Sequence, residues 1–253
     1  MQVKTIGQIR EEYQAAELPM LPDFICTYEN DQRKGVQKLV VQANSKLQKL
    51  DQERARIENM CVYEREYAAY TYLCGIDEAG RGPLAGPVVA GAVILPKDCR
   101  ILYINDSKQL SPNKREELYD VIVTEAKAYG VGIVSEKRID EINILQATYE
   151  AMREAINNLG IIPDILLNDA VTIPQMPMRQ VPIVKGDEKS ISIAAASILA
   201  KVTRDRIMAE YDSKYPGYGF ASHKGYGSKA HIEAIKRLGP CEIHRRTFLT
   251  HFI

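Results

Sequence analysis

The sequence predicts an α/β domain built on one sheet, preceded by a helical segment. Three observations carry this. Residues 1–70 show helical periodicity, short apolar runs begin at Tyr72, and from there strand-like runs alternate with helical ones. A chain of 253 residues can form one large domain, or a medium domain with a small one. The division expected is a helical N-terminal extension over residues 1–70 and a main domain over residues 71–253, its C-terminal part helical and basic.

The first helical run spans Ile6 to Leu18 and meets a double-proline break at Leu18-Pro19-Met20-Leu21-Pro22. A second begins near Asp31 or Gly35 and continues to about Tyr70, with Val36, Leu39, Val40, Ala43, Leu47 and Leu50 at helical spacing. Tyr72 to Ile76 reads as a strand, and Val88 to Leu95 as a buried strand closed by Pro96. Ser111-Pro112 opens a helix, Ser as N-cap and Pro in the first turn. Val131 to Val134 is a strand. Asn143 to Leu159 is a helix stopped at Gly160. Ile165 to Leu167 and Val181 to Val184 are short strands, and a long helix runs from about Ser190 to Tyr211.

Hydrophobic residues make up 45% and charged residues 26%, as expected of a soluble chain with a core. The absence of an 18-residue apolar run argues against a transmembrane helix and a membrane partner. The mixed N-terminus MQVKTIGQIREEYQ does not read as a secretion signal. Five scattered cysteines without a C-x-x-C pair point to a reducing cytoplasm, and away from a disulfide framework or a cysteine zinc site. Net charge is zero but uneven: residues 201–253 hold ten Lys/Arg against five Asp/Glu, whereas residues 71–200 hold thirteen against seventeen. An acidic middle beside a basic end suits a metal site next to a polyanion surface, although a solvated surface can be uneven by chance.

Asp77 and Glu78 follow one apolar strand, Asp169 another, and Asp187 a third. Ligands collect beyond strand ends in open α/β sheets, so acids distant in sequence can converge there. An oxygen-rich set selects Mg²⁺ or Mn²⁺, and two such ions can promote phosphodiester hydrolysis. Solvated loop acids are the competing reading, and Asp187 can also serve the N-terminus of the helix that follows it. Neighbouring strand residues face opposite ways, so convergence of Asp77 with Glu78 requires an irregular strand end, for which Gly80 and Gly82 are suited. Gly80 to Ala85 also fits the dinucleotide fingerprint G-x-G-x-x-A, but Pro83 and Pro87 bracket it and a strand follows where a helix is needed. Gly80-Arg81-Gly82 then reads as an exposed turn open to close approach by a ligand.

The segments GIDEAGRGPLAGPVVAGAVIL, NDSKQLS, KGDEKSISIAAASILAKVTRDRIM and FASHKGYGSKAH, in this order, resemble bacterial ribonuclease HII over about residues 72–248. The resemblance implies a ribonuclease H-like fold, with a central mixed sheet flanked by helices, and four acids binding divalent metal, Mn²⁺ or Mg²⁺. It implies cleavage 5′ of a ribonucleotide embedded in duplex DNA and of RNA in RNA–DNA hybrids, leaving 3′-hydroxyl and 5′-phosphate ends, by a monomer. Carried over by motif, Asp77, Glu78, Asp169 and Asp187 are the catalytic and metal-binding acids. Gly80, Arg81 and Gly82 read the ribose 2′-hydroxyl, Tyr226 packs on the junction sugar, and Ser107 and Lys108 lie near the substrate backbone.

Asn168 stands where the family more usually has an apolar residue, and Ser228 where Thr is more usual. The sister family, ribonuclease HIII, has lysine at the position of Arg81 and a sheet-containing N-terminal domain, so Arg81 and the helical pattern favour HII. Lys201, Arg204 and Arg206 are expected on helix faces open to phosphates or salt bridges. His223, His231, His244 and His251 are expected to be surface or packing residues. A non-catalytic hybrid-binding protein and a nucleotide-binding dehydrogenase are the rival functions. Clustered acids facing phosphates disfavour the first, and the missing helix disfavours the second.

Overall fold

The computed structural model describes residues 4–250, which leaves His251 outside the described residues. The chain divides into two compact units, one up to Glu58 and one from Asn59 onward.

In the first unit, α1 (Ile6–Ala15) starts with a capping box: the Thr5 hydroxyl accepts from the Gln8 N–H, and the Gln8 side chain accepts from the Thr5 N–H. A 3₁₀ turn, Leu18–Met20, leads directly into α2 (Leu21–Tyr28). α1 thus stops at Ala15, short of the expected Leu18 and before either proline. The prolines open turns instead: Pro19 in the 3₁₀ turn and Pro22 in α2 fall in first turns where a missing N–H has no partner to lose. Val36, Leu39, Val40 and Ala43 of α3 (Lys34–Met60) join Ile9, Tyr13, Leu21 and Phe24 in a small core. The long helix stops at Met60, and α4 (Val62–Glu66) is a separate turn, so helix does not continue to Tyr70.

The second unit runs β1 (Leu73–Ala79), β2 (Val88–Ile94), α5 (Pro112–Glu125), β3 (Ala128–Val134), α6 (Glu136–Asn157), β4 (Ile165–Asp169), β5 (Arg179–Ile183), α7 (Gly186–Lys189), α8 (Ile191–Lys214), α9 (Phe220–His223), α10 (Lys229–Leu238) and α11 (Arg246–Leu249). The five strands form one mixed sheet in the order β3-β2-β1-β4-β5. β1 and β3 pair antiparallel with β2, while β1–β4 and β4–β5 are parallel. The expected caps are present: Ser111 accepts from Lys114 N at α5, and Ser190 from Ile193 N at α8. α6 begins earlier than its periodicity indicates, because Ser135 caps it and the helix then breaks at Asn143 (φ 68°, ψ 164°). There the Asn143 side chain accepts from Leu145 N and Gln146 N, restarting the helix where the sequence pattern begins.

Helices cover both faces of the sheet at backbone distance. On one face, a Cβ added to Gly75 would lie 2.1 Å from the Ser192 carbonyl carbon, and one on Gly91 2.4 Å from the Ala196 oxygen, so α8 rests on bare backbone. On the other, α6 is seated in the same way on Gly130 and Gly132. Ile76, Val88, Ala90, Ile94 and Leu166 pack there against Ala151, Met152 and Ala155. Among the described residues no helix is long and apolar enough to cross a membrane.

Candidate active site

Strand register places the first two acids together. Gly75 pairs with Leu167 and Ile76 with Asn168, so the parallel β1–β4 ladder brings Asp77 level with Asp169 on the face covered by α8. Asp77 is 4% exposed and bonded by the Ser197 hydroxyl of α8. β1 stays regular through the Ala79–Val89 pair, so Glu78 faces the other way and the irregularity begins only at Gly80. Glu78 lies at the end of the sheet, where its charge still acts on Asp77 and feels that of Asp169. After β5, Lys185 (φ 56°) takes a left-handed conformation and Gly186 N donates to Asp169 Oδ1 at 2.8 Å, bringing Asp187 of α7 to the same group. Ala170 (φ 54°) is left-handed as well, so strained backbone follows Asp169 and precedes Asp187.

The electrostatics are those of a charge-deficient site. Burial holds the Asp77 carboxyl well above the usual range, and the Glu78 and Asp169 charges add to it against the Ser197 and Glu78 N–H bonds. Burial likewise raises Glu78, opposed by Arg81, whose guanidinium lies 3.3 Å away. Asp187 is pushed up to about 6 by burial, then by Asp106 and Asp169. Lys108 is the shared counter-charge: burial works against its ammonium, but the pull of Asp106, Asp77, Asp187 and Asp169 outweighs it and raises its pKa. Glu78 Oε2 is buried without a hydrogen-bond partner.

Beside the acids, Gly80 (φ +93°) starts the turn, and Arg81 and Gly82 are exposed. A Cβ on Gly82 would lie 4.0 Å from Tyr226 Cε1, so the half-exposed tyrosine ring borders the turn. Leu84 N donates to Gly225 O and Gly86 N to Ile243 O, tying the turn to the two C-terminal loops.

Two family profiles match the chain: Ribonuclease HII over residues 74–251 and the Ribonuclease HII N-terminal domain over residues 5–68. The chain belongs to the ribonuclease HII family.

It is a ribonuclease H enzyme, which removes the non-catalytic rival. The ribonuclease HII of Lachnoclostridium phytofermentans is 65% identical over 222 residues, covering 88% of this chain and 87% of that protein. That of Clostridioides difficile is 53% identical over 255 residues and covers both chains completely. The crystal structure of ribonuclease H2 from Pyrococcus horikoshii superposes with a TM-score of 0.59 at 33% identity, over 70% of this chain and 93% of that one. The helical N-terminal segment, outside the motifs of the main domain, is thus a described part of ribonuclease HII proteins.

Several residues stand differently from their sequence reading. Ser107, expected beside substrate, is 3% exposed and its hydroxyl is hydrogen-bonded to Ser197 Oγ at 3.0 Å, so it supports the hydroxyl that bonds Asp77. Lys108 is exposed. Arg204 is fully buried and unavailable to phosphates, whereas Lys201 and Arg206 make salt bridges, as their reading allowed, with Asp205 and Glu116. Asn168 is buried and bonded to Val171 O and Gln180 Oε1, while Ser228 caps α10 as a threonine would. Sequence reading missed Asp106, whose carboxyl meets that of Asp187; its signal was its place directly before Ser107-Lys108.

Of the histidines expected at the surface or in packing, His231 and His244 are packed in a buried chain. His231 Nδ1 donates to Tyr226 O at 2.9 Å, so its neutral Nε2 accepts from His244 Nε2 at 3.1 Å. His244 Nδ1 is then bare and accepts from Cys241 N at 3.0 Å. Burial lowers both histidines to about 4. Unfolded, the rings take a proton near 6.5, so between those values the unfolded chain binds more protons and stability falls as pH drops. The thermal midpoint of the wild type is therefore expected to fall more steeply than that of His244→Gln between pH 6.5 and 4.5, diverging by several degrees at about 2–4 °C per kcal/mol. Parallel curves by differential scanning fluorimetry would exclude His244 as the titrating group.

Proposed function

We propose that this enzyme is a divalent-metal-dependent endonuclease that hydrolyses the phosphodiester 5′ of a ribonucleotide embedded in duplex DNA. On this reading it also cleaves RNA in RNA–DNA hybrids, and leaves 3′-hydroxyl and 5′-phosphate ends. The observation that carries it is the meeting of buried acids, short of counter-charge, with an exposed turn suited to a sugar. Burial of several carboxyls is costly unless something compensates them.

The donor set fits a hard cation. It consists of carboxylate oxygens, and the unpartnered Glu78 Oε2 is a ligand in waiting. Among the described residues no three such side chains are yet drawn tightly enough to enclose an ion, so the acids are neighbours in charge rather than a closed cage. Asp77, Asp169 and Glu78 would hold one Mg²⁺ or Mn²⁺, and Asp77 with Asp187 a second. Bound there, the ions supply neutralising charge and Lewis acidity for phosphodiester hydrolysis.

The chain's own residues do the rest. Lys108 and Arg81 offer cations to the backbone phosphates beside the cut. The Gly-Arg-Gly backbone and the Tyr226 ring test the sugar, since the 2′-hydroxyl is what separates RNA from DNA. A cytoplasmic setting and a monomeric state belong to the same reading, supported by the scattered cysteines and by a site formed within one chain.

The direct test is a DNA duplex with one embedded ribonucleotide, incubated with Mg²⁺ or Mn²⁺ and mapped for its cleavage site. A single cut 5′ of the ribonucleotide is expected; intact substrate with retained binding would overturn the reading. In the same assay, Tyr226→Ala should lose about 10- to 100-fold in cleavage at the embedded ribonucleotide, the scale of a misplaced substrate. Affinity for duplex should stay within a few-fold. Equal loss in both would make Tyr226 a structural residue.

A further inference from the structure

Two arginines that the sequence offered to phosphates or left unassigned are completely buried behind the Gly80-Arg81-Gly82 turn. Arg204 and Arg245 are each 0% exposed, and among the described residues neither makes an ion pair with a carboxylate. Burial lowers both, Arg245 to about 9 and Arg204 to about 10, which leaves them charged at neutral pH. A buried charge without a counter-ion persists only where dipoles replace its water. Here backbone carbonyls do so.

Arg245 spreads over the turn. Its Nη1 donates to Arg81 O at 2.9 Å and its Nη2 to Gly80 O at 2.6 Å, while Nη2 and Nε both reach Gly86 O, at 2.8 and 2.9 Å. Arg204 sits below, donating to Pro87 O at 3.0 Å, Ala85 O at 3.0 Å and Lys224 O at 2.9 Å. Its guanidinium carbon lies 5.9 Å from the centre of the Tyr226 ring. In a trans peptide the carbonyl and the following N–H point in opposite directions, and this chain has no cis bond. Turning the Gly80 and Arg81 carbonyls inward therefore turns the Arg81 and Gly82 N–H groups outward, at two exposed residues.

We infer that Arg245, backed by Arg204, is a positioning residue for ribonucleotide discrimination: its guanidinium fixes two peptide planes so that the Arg81 and Gly82 N–H groups face the substrate sugar and its phosphate. The inference rests on the proposed function and adds a cause for the turn's selectivity. The planar fork matters as much as the charge, because lysine supplies a cation but cannot hold two carbonyls in one plane. The buried charges also add a positive field behind an anionic ligand, and no side chain is spent at the surface.

The test measures binding in the cleavage-inactive Asp77→Asn background. Affinities are compared for an all-DNA duplex and the same duplex with one ribonucleotide. Adding Arg245→Lys should cut the ribonucleotide preference at least tenfold while all-DNA affinity changes less than about twofold and the circular dichroism spectrum is kept. Retained preference would overturn the inference, as would parallel loss of both affinities, which marks a merely structural role. If Arg245→Lys does not fold, amide hydrogen exchange in the Arg245-intact protein decides. The Arg81 and Gly82 amides should exchange almost unprotected, and strong protection would show that they do not point outward. Absence of any preference in Asp77→Asn alone, together with no cleavage by the wild type, would instead sink the functional reading and this inference with it.

Discussion

Asp77→Asn is expected to abolish cleavage and at the same time raise the thermal stability of the metal-free protein. The carboxyl is 4% exposed, its ionised form is disfavoured first by burial and then by Glu78 and Asp169, and hydrogen bonds from Ser197 and Glu78 N–H, with the charge of Lys108, offset this only in part. An amide of nearly the same shape keeps the space filled and removes the charge. Loss of activity should be at least about a thousandfold, the upper range for losing one electrostatic stabiliser of a transition state. The midpoint should rise by a few degrees, at about 2–4 °C per kcal/mol of repulsion relieved. Mg²⁺ or Mn²⁺ should stabilise the wild type by mass action and stabilise the variant much less. Thermal scans with and without metal, beside a cleavage assay, check all three. An active variant, or one with undiminished metal stabilisation, would show that Asp77 is not the central ligand.

Gly80→Ala should have the largest effect on the folded turn. A Cβ there would lie 2.1 Å from Arg204 Nε and 2.4 Å from its Cδ, at φ +93°. Arg204 cannot swing aside freely, since three backbone carbonyls hold its guanidinium. Left-handed strain costs about 1–2 kcal/mol and overpacking about 1–3 kcal/mol, so roughly 2–5 kcal/mol of stability should be lost. Cleavage at an embedded ribonucleotide should fall by about 100-fold or more, because the turn and the Arg204 beneath it must both move. Gly82→Ala is the control: only Tyr226 Cε1, at 4.0 Å, meets its Cβ, so urea denaturation should show near wild-type stability. A variant at Gly80 that unfolds at the same urea concentration as the wild type would refute the account.

Much of the fold was legible because its signals are local. Ser111-Pro112 and Ser190 announce helix starts through hydrogen bonds within three residues, and continuous apolar runs mark buried strands. The long motifs made the family and the four acids visible together. What the local patterns left open was non-local. That Asp77 stands level with Asp169 depends on pairing strands about 90 residues apart, which no local pattern encodes. Alternation along β1 turns Asp77 and Glu78 to opposite sides, and β1 holds its regular form to Ala79, beyond the expected strand end, yet at the end of the sheet their charges still meet. Arg204 looked like a surface residue because it lies in a charged stretch, VTRDRIM, and only the tertiary fold shows carbonyls waiting for it. The second proline of the break misled for a related reason, since a proline in a first turn and one in a loop look alike until the next helix is seen.

Helix α8 acts as a ruler. Ser190 at its start, Ser197 against Asp77 and Arg204 under the turn recur every seven residues, and so share one side of the helix. Seven residues of helix rise about 10.5 Å, so the interval between the clustered acids and the Gly80-Arg81-Gly82 turn is set by a rigid rod. Ser190 and the Ser192 N–H also bond Glu64 of α4, which pins the end of the rod. Inserting one residue between Ser197 and Arg204 would turn the second mark by about 100° from the first, so the acids and the turn proposed to test the sugar would lose their common register.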